Sequence, residues 1–291
     1  MAGQPAANTT ASGRAREFSF SDEDFNDLRA IVKRETGIAL ADSKRELVYG
    51  RVSRRLRALG MKSFLDYRNL LNRGEATQEI VEFCNAITTN LTAFYREAHH
   101  FEYLANEFLK PHAAKPGAVR RLRMWSAGCS TGEEPYSIAM TICESLPELA
   151  RWDVKILATD LDSEVLRHGS AGLYTEDRLQ KLDKRRVAKY FREERDGARR
   201  MYRIAPEPKS LITFRQLNLM HQLPMKGPLD VIFCRNTVIY FDKDTQRQLF
   251  ERIARLQRPG DLLFLGHSES LFKVSEAYTL IGKTIYRRNE R

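Results

Sequence analysis

The chain has 291 residues, 42% of them hydrophobic and 30% charged, with a formal net charge of +10. That length holds one sizeable core plus a smaller domain, and the composition is that of a soluble globular protein. No stretch approaches the ~20 consecutive apolar residues of a membrane span, and the opening MAGQPAANTTASGRAR lacks the apolar centre of a signal peptide. Cys84, Cys129, Cys143 and Cys234 show neither C-x-x-C spacing nor a neighbouring His cluster, so they read as reduced, cytosolic thiols and not as disulfides or a zinc site. The positive charge favours an acidic partner, whether nucleic acid, membrane or protein surface, without choosing among them.

Residues 1–17 read as a disordered tail, and residues 18–88 as a small helical domain. Ser21 can cap a first helix, with Asp24 reaching back and Phe20 stapling against Phe25, and Gly37 is the natural stop. Ser43-Lys-Arg-Glu46 predicts a second capping box, opening a helix that runs to Gly60 with Val48, Val52, Leu56 and Leu59 as its apolar stripe. Between positions 44 and 62 seven basic residues, Arg51, Arg54 and Arg55 among them, face only Glu46. Most charge runs are solvated faces of mixed sign; this one-sided ridge predicts a docking surface for something acidic. Ser63 caps a short helix through Leu71, and Thr77 begins another that carries Ile80, Val81, Phe83 and Ile87.

Residues 89–118 read as a linker and a connecting helix over 96–109, closed by Pro111. His99-His100 is expected as part of a polar helix start, not as a ligand pair, and no metal site is expected. The remainder, 119–291, reads as an α/β domain. Its elements are strands near 122–127 and 154–159, a helix from Asp162, a basic helical stretch over 174–191, and two short strands at 201–205 and 211–217. The last two suggest a β excursion near 195–213. A strand at 229–234, apolar apart from Asp230, follows, then a helix over 243–256, a strand at 261–265 and a final antiparallel hairpin over 278–287.

The informative stretch is LRMWSAGCSTGEEPY at 122–136. An apolar strand runs into a loop of small residues, and Pro135 then fits the first turn of a helix. In a parallel α/β sheet such a loop lies at the carboxyl ends of the strands, facing the ligand crevice. It carries Glu133 and Glu134 and no Lys, so a polyphosphate would be repelled, and only Gly128 and Gly132 of a dinucleotide fingerprint are present. Asp160 ends the next strand, where a carboxylate takes ribose hydroxyls. A nucleoside with a cationic amino-acid tail suits two acidic positions.

Four motifs in order then carry a resemblance: TTNLTAFYRE at 88–97, WSAGCSTGEEPYSIAM at 125–140, ATDLD at 158–162 and FCRNTVIYFD at 233–242. Over roughly residues 20–287 the chain resembles the CheR family of chemotaxis receptor methyltransferases, which move a methyl group from S-adenosylmethionine to receptor glutamates and release S-adenosylhomocysteine. The resemblance implies an all-α N-terminal domain and a Rossmann-like methyltransferase domain with a small antiparallel β insertion. It implies cofactor contacts from Asn90, Thr92, Arg96, Glu133, Asp160, Asn218, Leu219, Arg235 and Asn236, with Glu133 suited to the methionine ammonium. Tyr240 and Arg96 are implied nearest the transferring methyl, and the ridge of Arg51, Arg54 and Arg55 is implied to meet the receptor's cytoplasmic helical bundle. A cytoplasmic monomer without membrane insertion and without nucleic acid is expected.

Two positions depart from the family. Thr237 stands where many members have Val after Arg-Asn, and the 195–201 turn offers only Gly197 where peptide-tethered members have a glycine-rich turn, so a tether-independent enzyme is expected. A nucleic-acid methyltransferase is the rival enzyme, and a non-catalytic S-adenosylmethionine-binding scaffold the rival class. Against the first, no base-handling motif or aromatic-basic interleaving is present. Against the second, Tyr240 and Arg96 are both retained.

Overall fold

The computed structural model describes residues 16–73, 77–88, 90–117, 119–146, 148–197 and 199–290, and the chain clusters into two units divided after Thr88. Of the tail expected at 1–17, residues 1–15 lie outside the described residues. Arg16 is no tail: it sits 4.9 Å over the Tyr49 ring and pairs with Glu46.

In the helical unit α1 (Asp22–Thr36) begins at Ser21 with a complete capping box to Asp24 and ends at Gly37, whose φ of 76° is the left-handed stop. The Phe20 and Phe25 rings meet edge to face at 6.4 Å, closing the staple. The second capping box does not form. A 3₁₀ turn over Asp42–Lys44 leads into α2 (Arg45–Leu59) with no side-chain cap, because Glu46 is drawn outward to Arg16. Val48, Val52 and Leu56 are fully buried, whereas Leu59 is left exposed at the helix end. Helices α3 (Phe64–Asn72) and α4 (Thr77–Ile87) supply Phe64, Tyr67, Leu71 and Phe83 to the same core.

The second unit starts with the segment expected as a linker, and its aromatic residues pack into that unit. Phe94 is buried against Tyr174 and Phe191, at 5.0 and 5.5 Å between rings, and Phe101 stacks on Phe233. Pro111 does not close the connecting helix. Helix His99–Tyr103 widens into a π-helical stretch over Leu104–Leu109 and continues through Lys110–Ala114. A proline lacks the N–H an α-turn needs and crowds the preceding turn, and a π register just before it accommodates both.

Among the described residues ten strands follow in chain order: β1 (Arg121–Ala127), β2 (Asp153–Asp160), β3 (Leu173–Thr175), β4 (Phe191–Asp196), β5 (Arg199–Ile204), β6 (Ile212–Gln216), β7 (Val231–Cys234), β8 (Leu262–Leu265), β9 (Tyr278–Gly282) and β10 (Ile285–Arg288). Seven of them form one sheet in the order β6-β2-β1-β7-β8-β10-β9, parallel except for the β10 pairings. Chain order runs outward from β1 to β6 on one side and from β7 onward on the other, so the direction of progress reverses between β1 and β7. Ligands bind outside the carboxyl ends of strands at such a switch point.

Two expectations are corrected here. The stretch 174–191 is not one helix: Tyr174 and Phe191 are buried strand residues of β3 and β4, with short helices Glu176–Leu179 and Lys184–Tyr190 between them. The strand at 211–217 is not part of the β excursion either. It is β6 of the main sheet, parallel to β2 with Ala158 opposite Phe214. The separate antiparallel sheet is β3-β5-β4, spanning Leu173–Ile204. Its β4–β5 hairpin turns at Gly197, φ 58°, beside Ala198, which lies outside the described residues.

Candidate active site

The loop after β1 is folded back over the end of β2. The N–H groups of Gly128 and Cys129 both donate to the Thr159 carbonyl, at 2.8 and 2.9 Å. Gly128 has φ 76°, and a Cβ there would overlap the Thr237 hydroxyl, so the loop needs glycine for both conformation and room. Thr237 in turn donates to the Arg235 and Ala127 carbonyls at 3.2 and 3.3 Å. The residue that departs from the family thus ties the β7 loop to the end of β1.

Asp160 is half-buried at the tip of β2. One oxygen accepts the Ser130 N–H at 2.8 Å and the other the Asp162 N–H at 3.0 Å. A carboxylate has about four acceptor positions, so acceptor capacity remains for a diol. Burial raises its pKa above the ordinary aspartate range, against the pull of those N–H donors. The Leu217 N–H donates to the Asp160 carbonyl at 2.9 Å, which sets Asn218 beside it. Asn218 closes a turn through its side-chain oxygen, 2.9 Å from the Met220 N–H. The carbonyl of Leu219 is gripped at 2.8 Å by Arg252, which also reaches the Met220 and His221 carbonyls from helix Lys243–Ala254.

From the other side, Asn90 donates to the Asp162 carboxylate at 2.8 Å, and its carbonyl accepts the Ser130 hydroxyl at 3.3 Å. Thr92 and Arg96 are half-buried on the same segment, and Arg96 donates to the Leu91 carbonyl at 2.8 Å. Residues 90–96, 128–133, 160–162 and 218–219 are thereby joined around the ends of β1, β2 and β6.

Glu133 opens helix Glu133–Ser145, where a carboxylate suits the positive helix end. Its side chain is fully buried, one oxygen accepting the Thr131 hydroxyl at 2.7 Å and the other paired with Arg178 of the antiparallel insertion. Arg178 also donates to the Thr131 hydroxyl at 2.9 Å. Glu133 has no accessible surface of its own, so an ammonium reaches it only if Arg178, the partly exposed partner, gives way.

Arg235, expected among the cofactor contacts, follows directly on β7. Its side chain is 2% exposed and turned inward to Glu134 at 3.0 Å, to Glu97 at 3.4 Å and to the Arg96 carbonyl. It joins the β7 loop to the 90–97 segment and so supports Arg96. Burial raises the Glu134 pKa, opposed by Arg235 and Ser126. For Glu97 burial acts in the same direction, but Arg235 and His267 outweigh it and hold the carboxyl at about 2. His99 and His100 do open helix His99–Tyr103, but His100 is fully buried instead of lying on a polar face, 3.0 Å from the Lys283 carbonyl and 3.1 Å from the Thr284 hydroxyl. Burial and Arg235 push its pKa down to about 3. Glu97, His99 and His100 bring ligating atoms within 4.8 Å of one another, with the Arg235 cation already beside Glu97.

Asn236 follows β7 with φ 57°, and the half-buried Tyr240 ends the 3₁₀ turn Val238–Tyr240. Glu269, which the sequence reading passed over, is buried and accepts the N–H groups of Gly266, Asn236, Val238 and Ile239 at 2.6, 2.8, 2.8 and 3.2 Å. Arg178 and Arg252 were likewise unassigned. The one available signal was a lone acid in GHSES just past a buried strand.

The ridge residues are placed unequally. One Arg51 nitrogen donates to the carbonyls of Ala86, Ile87 and Thr88 at 3.1, 2.7 and 2.6 Å, capping α4, and Arg55 forms a two-pronged pair with Glu79. Arg54 is exposed, as are Lys44 and Lys62.

Two family models cover nearly all the described chain: "CheR methyltransferase, all-alpha domain" matches residues 23–88 and "CheR methyltransferase, SAM binding domain" residues 90–287. The chain is 42% identical to a chemotaxis protein methyltransferase of Escherichia coli K12, over 92% of this chain and 91% of that one. It is 44% identical to chemotaxis protein methyltransferase 2 of Pseudomonas aeruginosa, over 93% and 95% respectively. A chemotaxis protein methyltransferase of Borreliella burgdorferi is 35% identical, over 91% and 94%.

Proposed function

The chain belongs to the CheR methyltransferase family, and from that premise we propose that it methylates glutamate side chains in the cytoplasmic helical bundle of chemoreceptors, with S-adenosylmethionine as donor. The enzyme is an S-adenosylmethionine-dependent methyltransferase, and its crevice suits that cofactor chemically. Asp160 keeps acceptor capacity beside a loop of small residues, and a second carboxylate, Glu133, stands at a helix start. The joining of Asn90, Ser130, Asp160 and Asp162 at one switch point is the observation that carries the reading.

When bound, the cofactor supplies an electrophilic methyl on a sulfonium. Asp160 takes the ribose hydroxyls and Glu133 the ammonium, with Asn90, Thr92, Asn218, Leu219 and Asn236 shaping the remainder and Arg235 acting from behind. A glutamate with a pKa near ~4.3 is already ionised at neutral pH, so its carboxylate attacks without a base. Catalysis then reduces to in-line placement and exclusion of water. Tyr240 and Arg96 orient the incoming carboxylate by hydrogen bonds, without neutralising it.

Exposed Arg54, with Lys44 and Lys62, offers the acidic receptor surface its docking charge. A tail-peptide tether is not required, since the β4–β5 turn carries one glycine, Gly197. The test incubates the protein with methyl-labelled cofactor and purified receptor cytoplasmic fragments. Base-labile label on receptor glutamates is expected. Label on nucleic acid, or none on receptors whose methyl-accepting glutamates are intact, would overturn the reading.

A further inference from the structure

Tyr240 and Asn236 sit on a turn that buries Val238, while Ile239 is exposed and Asn236 and Tyr240 are half-buried. What fixes that turn comes from elsewhere in the chain. One Glu269 oxygen receives the N–H groups of Val238 and Ile239, and the other those of Asn236 and Gly266. From the opposite side the buried Gln246 donates to the carbonyls of Val238 and Phe241 at 2.8 and 3.0 Å. Gly266 is also closed in: a Cβ there would collide with the Asn236 backbone nitrogen and side-chain amide. Asn236 itself takes a left-handed φ of 57°, a conformation asparagine tolerates better than other non-glycine residues.

We propose that Glu269 is a positioning residue for methyl transfer: its carboxylate gathers three N–H groups of the turn over 236–239 and so sets Tyr240 and Asn236 in place. The proposal rests on the reading of Tyr240 and Asn236 given above. A carboxylate suits this task because it is acceptor-only at both oxygens. Glutamine in its place has the same shape but points an NH₂ donor at one of the two N–H pairs, and that half of the turn must open. Aspartate keeps the acceptors but is one methylene short of reaching both pairs.

The test compares Glu269→Gln and Glu269→Asp with Tyr240→Phe, the double variant Glu269→Gln/Tyr240→Phe, and Tyr278→Phe as a control. Tyr278 donates to Gln257 at 2.8 Å from the edge strand β9, so its loss lowers stability without touching the turn. At saturating receptor, Glu269→Gln should lower kcat about 10- to 100-fold and raise the cofactor KM several-fold, as expected for loss of hydrogen bonds to a charged acceptor. Tyr278→Phe should lower Tm and leave kcat unchanged. Glu269→Asp should fall between wild type and Glu269→Gln, and it serves alone if the glutamine variant does not fold.

Because Glu269 is proposed to act through Tyr240, the double variant should lose little more than the more impaired of the two single variants. Losses that multiply, or wild-type kcat in Glu269→Gln beside an impaired Tyr240→Phe, overturn the proposal by itself. Wild-type turnover in Tyr240→Phe overturns the reading of Tyr240 and takes this proposal with it.

Discussion

Replacing Arg178 by glutamine should tighten binding of S-adenosylhomocysteine. Glu133 has no accessible surface, and Arg178 and the Thr131 hydroxyl occupy its two oxygens. If Glu133 receives the ligand's ammonium, binding must first break the Arg178 pair, and the observed affinity is reduced by the fraction of molecules in which that pair is open. The Arg178 side chain is 32% exposed while its partner is fully buried. Such a pair lies between exposed bridges, worth less than about 1 kcal/mol, and buried ones, whose disruption costs about 3–5. An intermediate value of about 1–2 kcal/mol corresponds to about a 5- to 30-fold gain in affinity when the competitor is removed. The same change leaves a buried carboxylate unpaired, so the ligand-free variant should melt a few degrees lower and recover more than wild type on adding ligand. Calorimetry with S-adenosylhomocysteine, beside methylthioadenosine as a ligand without an ammonium, separates the effects. Only the first ligand should gain. Weaker or unchanged binding of S-adenosylhomocysteine, or an equal gain for both ligands, would refute the displacement of Arg178.

Tyr240→Phe and Arg96→Ala should lower kcat about 10-fold or more while changing the S-adenosylhomocysteine Kd less than about 3-fold, measured by labelled-methyl transfer and calorimetry; wild-type turnover in both would remove them from the mechanism. Arg51→Glu should destabilise the helical unit by about 2–3 kcal/mol, because it removes charged hydrogen bonds from the α4 carbonyls, so its loss of receptor methylation should track a lower Tm. Arg54→Glu should weaken receptor methylation with Tm nearly unchanged, and full methylation at physiological salt would rule the ridge out. Burial holds the Asp160 pKa above the usual range, and a protonated carboxyl loses acceptors for ribose. Cofactor affinity should therefore be full near neutral pH and fall as pH drops, beginning above the ~3.9 of an ordinary aspartate. Asp160→Asn should flatten that profile and bind weakly throughout; a wild-type profile as flat as the variant's would sever Asp160 from binding.

What could be read from the sequence was what is local. Asp160 was legible because a β-branched run ends on it, the small-residue loop because glycine and serine cluster between strand and helix, and the first helix because Ser21 and Asp24 are three residues apart. Errors arose where a distant partner decides the outcome. The 211–217 run sits after two prolines beside another short strand, so it read as part of the excursion. Its parallel register on β2, more than 50 residues away, has no local mark. Tyr174 and Phe191 bracket so many basic residues that the stretch mimics one amphipathic helix, whereas both rings are buried around Phe94. The ridge looked one-sided because the acceptors of Arg51 and Arg55 lie 37 and 24 residues on, at Thr88 and Glu79.

The strained backbone of the crevice shows why its supports were illegible. Tyr95, Ser130 and Asn236 have φ of 51°, 49° and 57°, a conformation that costs a non-glycine residue about 1–3 kcal/mol, and asparagine less than the others. Each donates its own N–H to a side chain far away in sequence: Tyr95 to the Ser137 hydroxyl at 2.9 Å, Ser130 to Asp160 at 2.8 Å and Asn236 to Glu269 at 2.8 Å. Ser137 is fully buried and also donates to the Glu133 carbonyl at 2.7 Å, so one hydroxyl couples the residue before Arg96 to the residue assigned to the ammonium. Glycine at these three positions would relieve the strain but surrender the side chains that line the crevice or fill the core beside it. The alternative found here keeps the side chain and places a fixed acceptor opposite the N–H. The turn then has one position in which both strain and hydrogen bond are satisfied, and the groups on either side of it inherit that position. Methyl transfer requires such placement more than it requires proton transfer, since its nucleophile arrives already ionised.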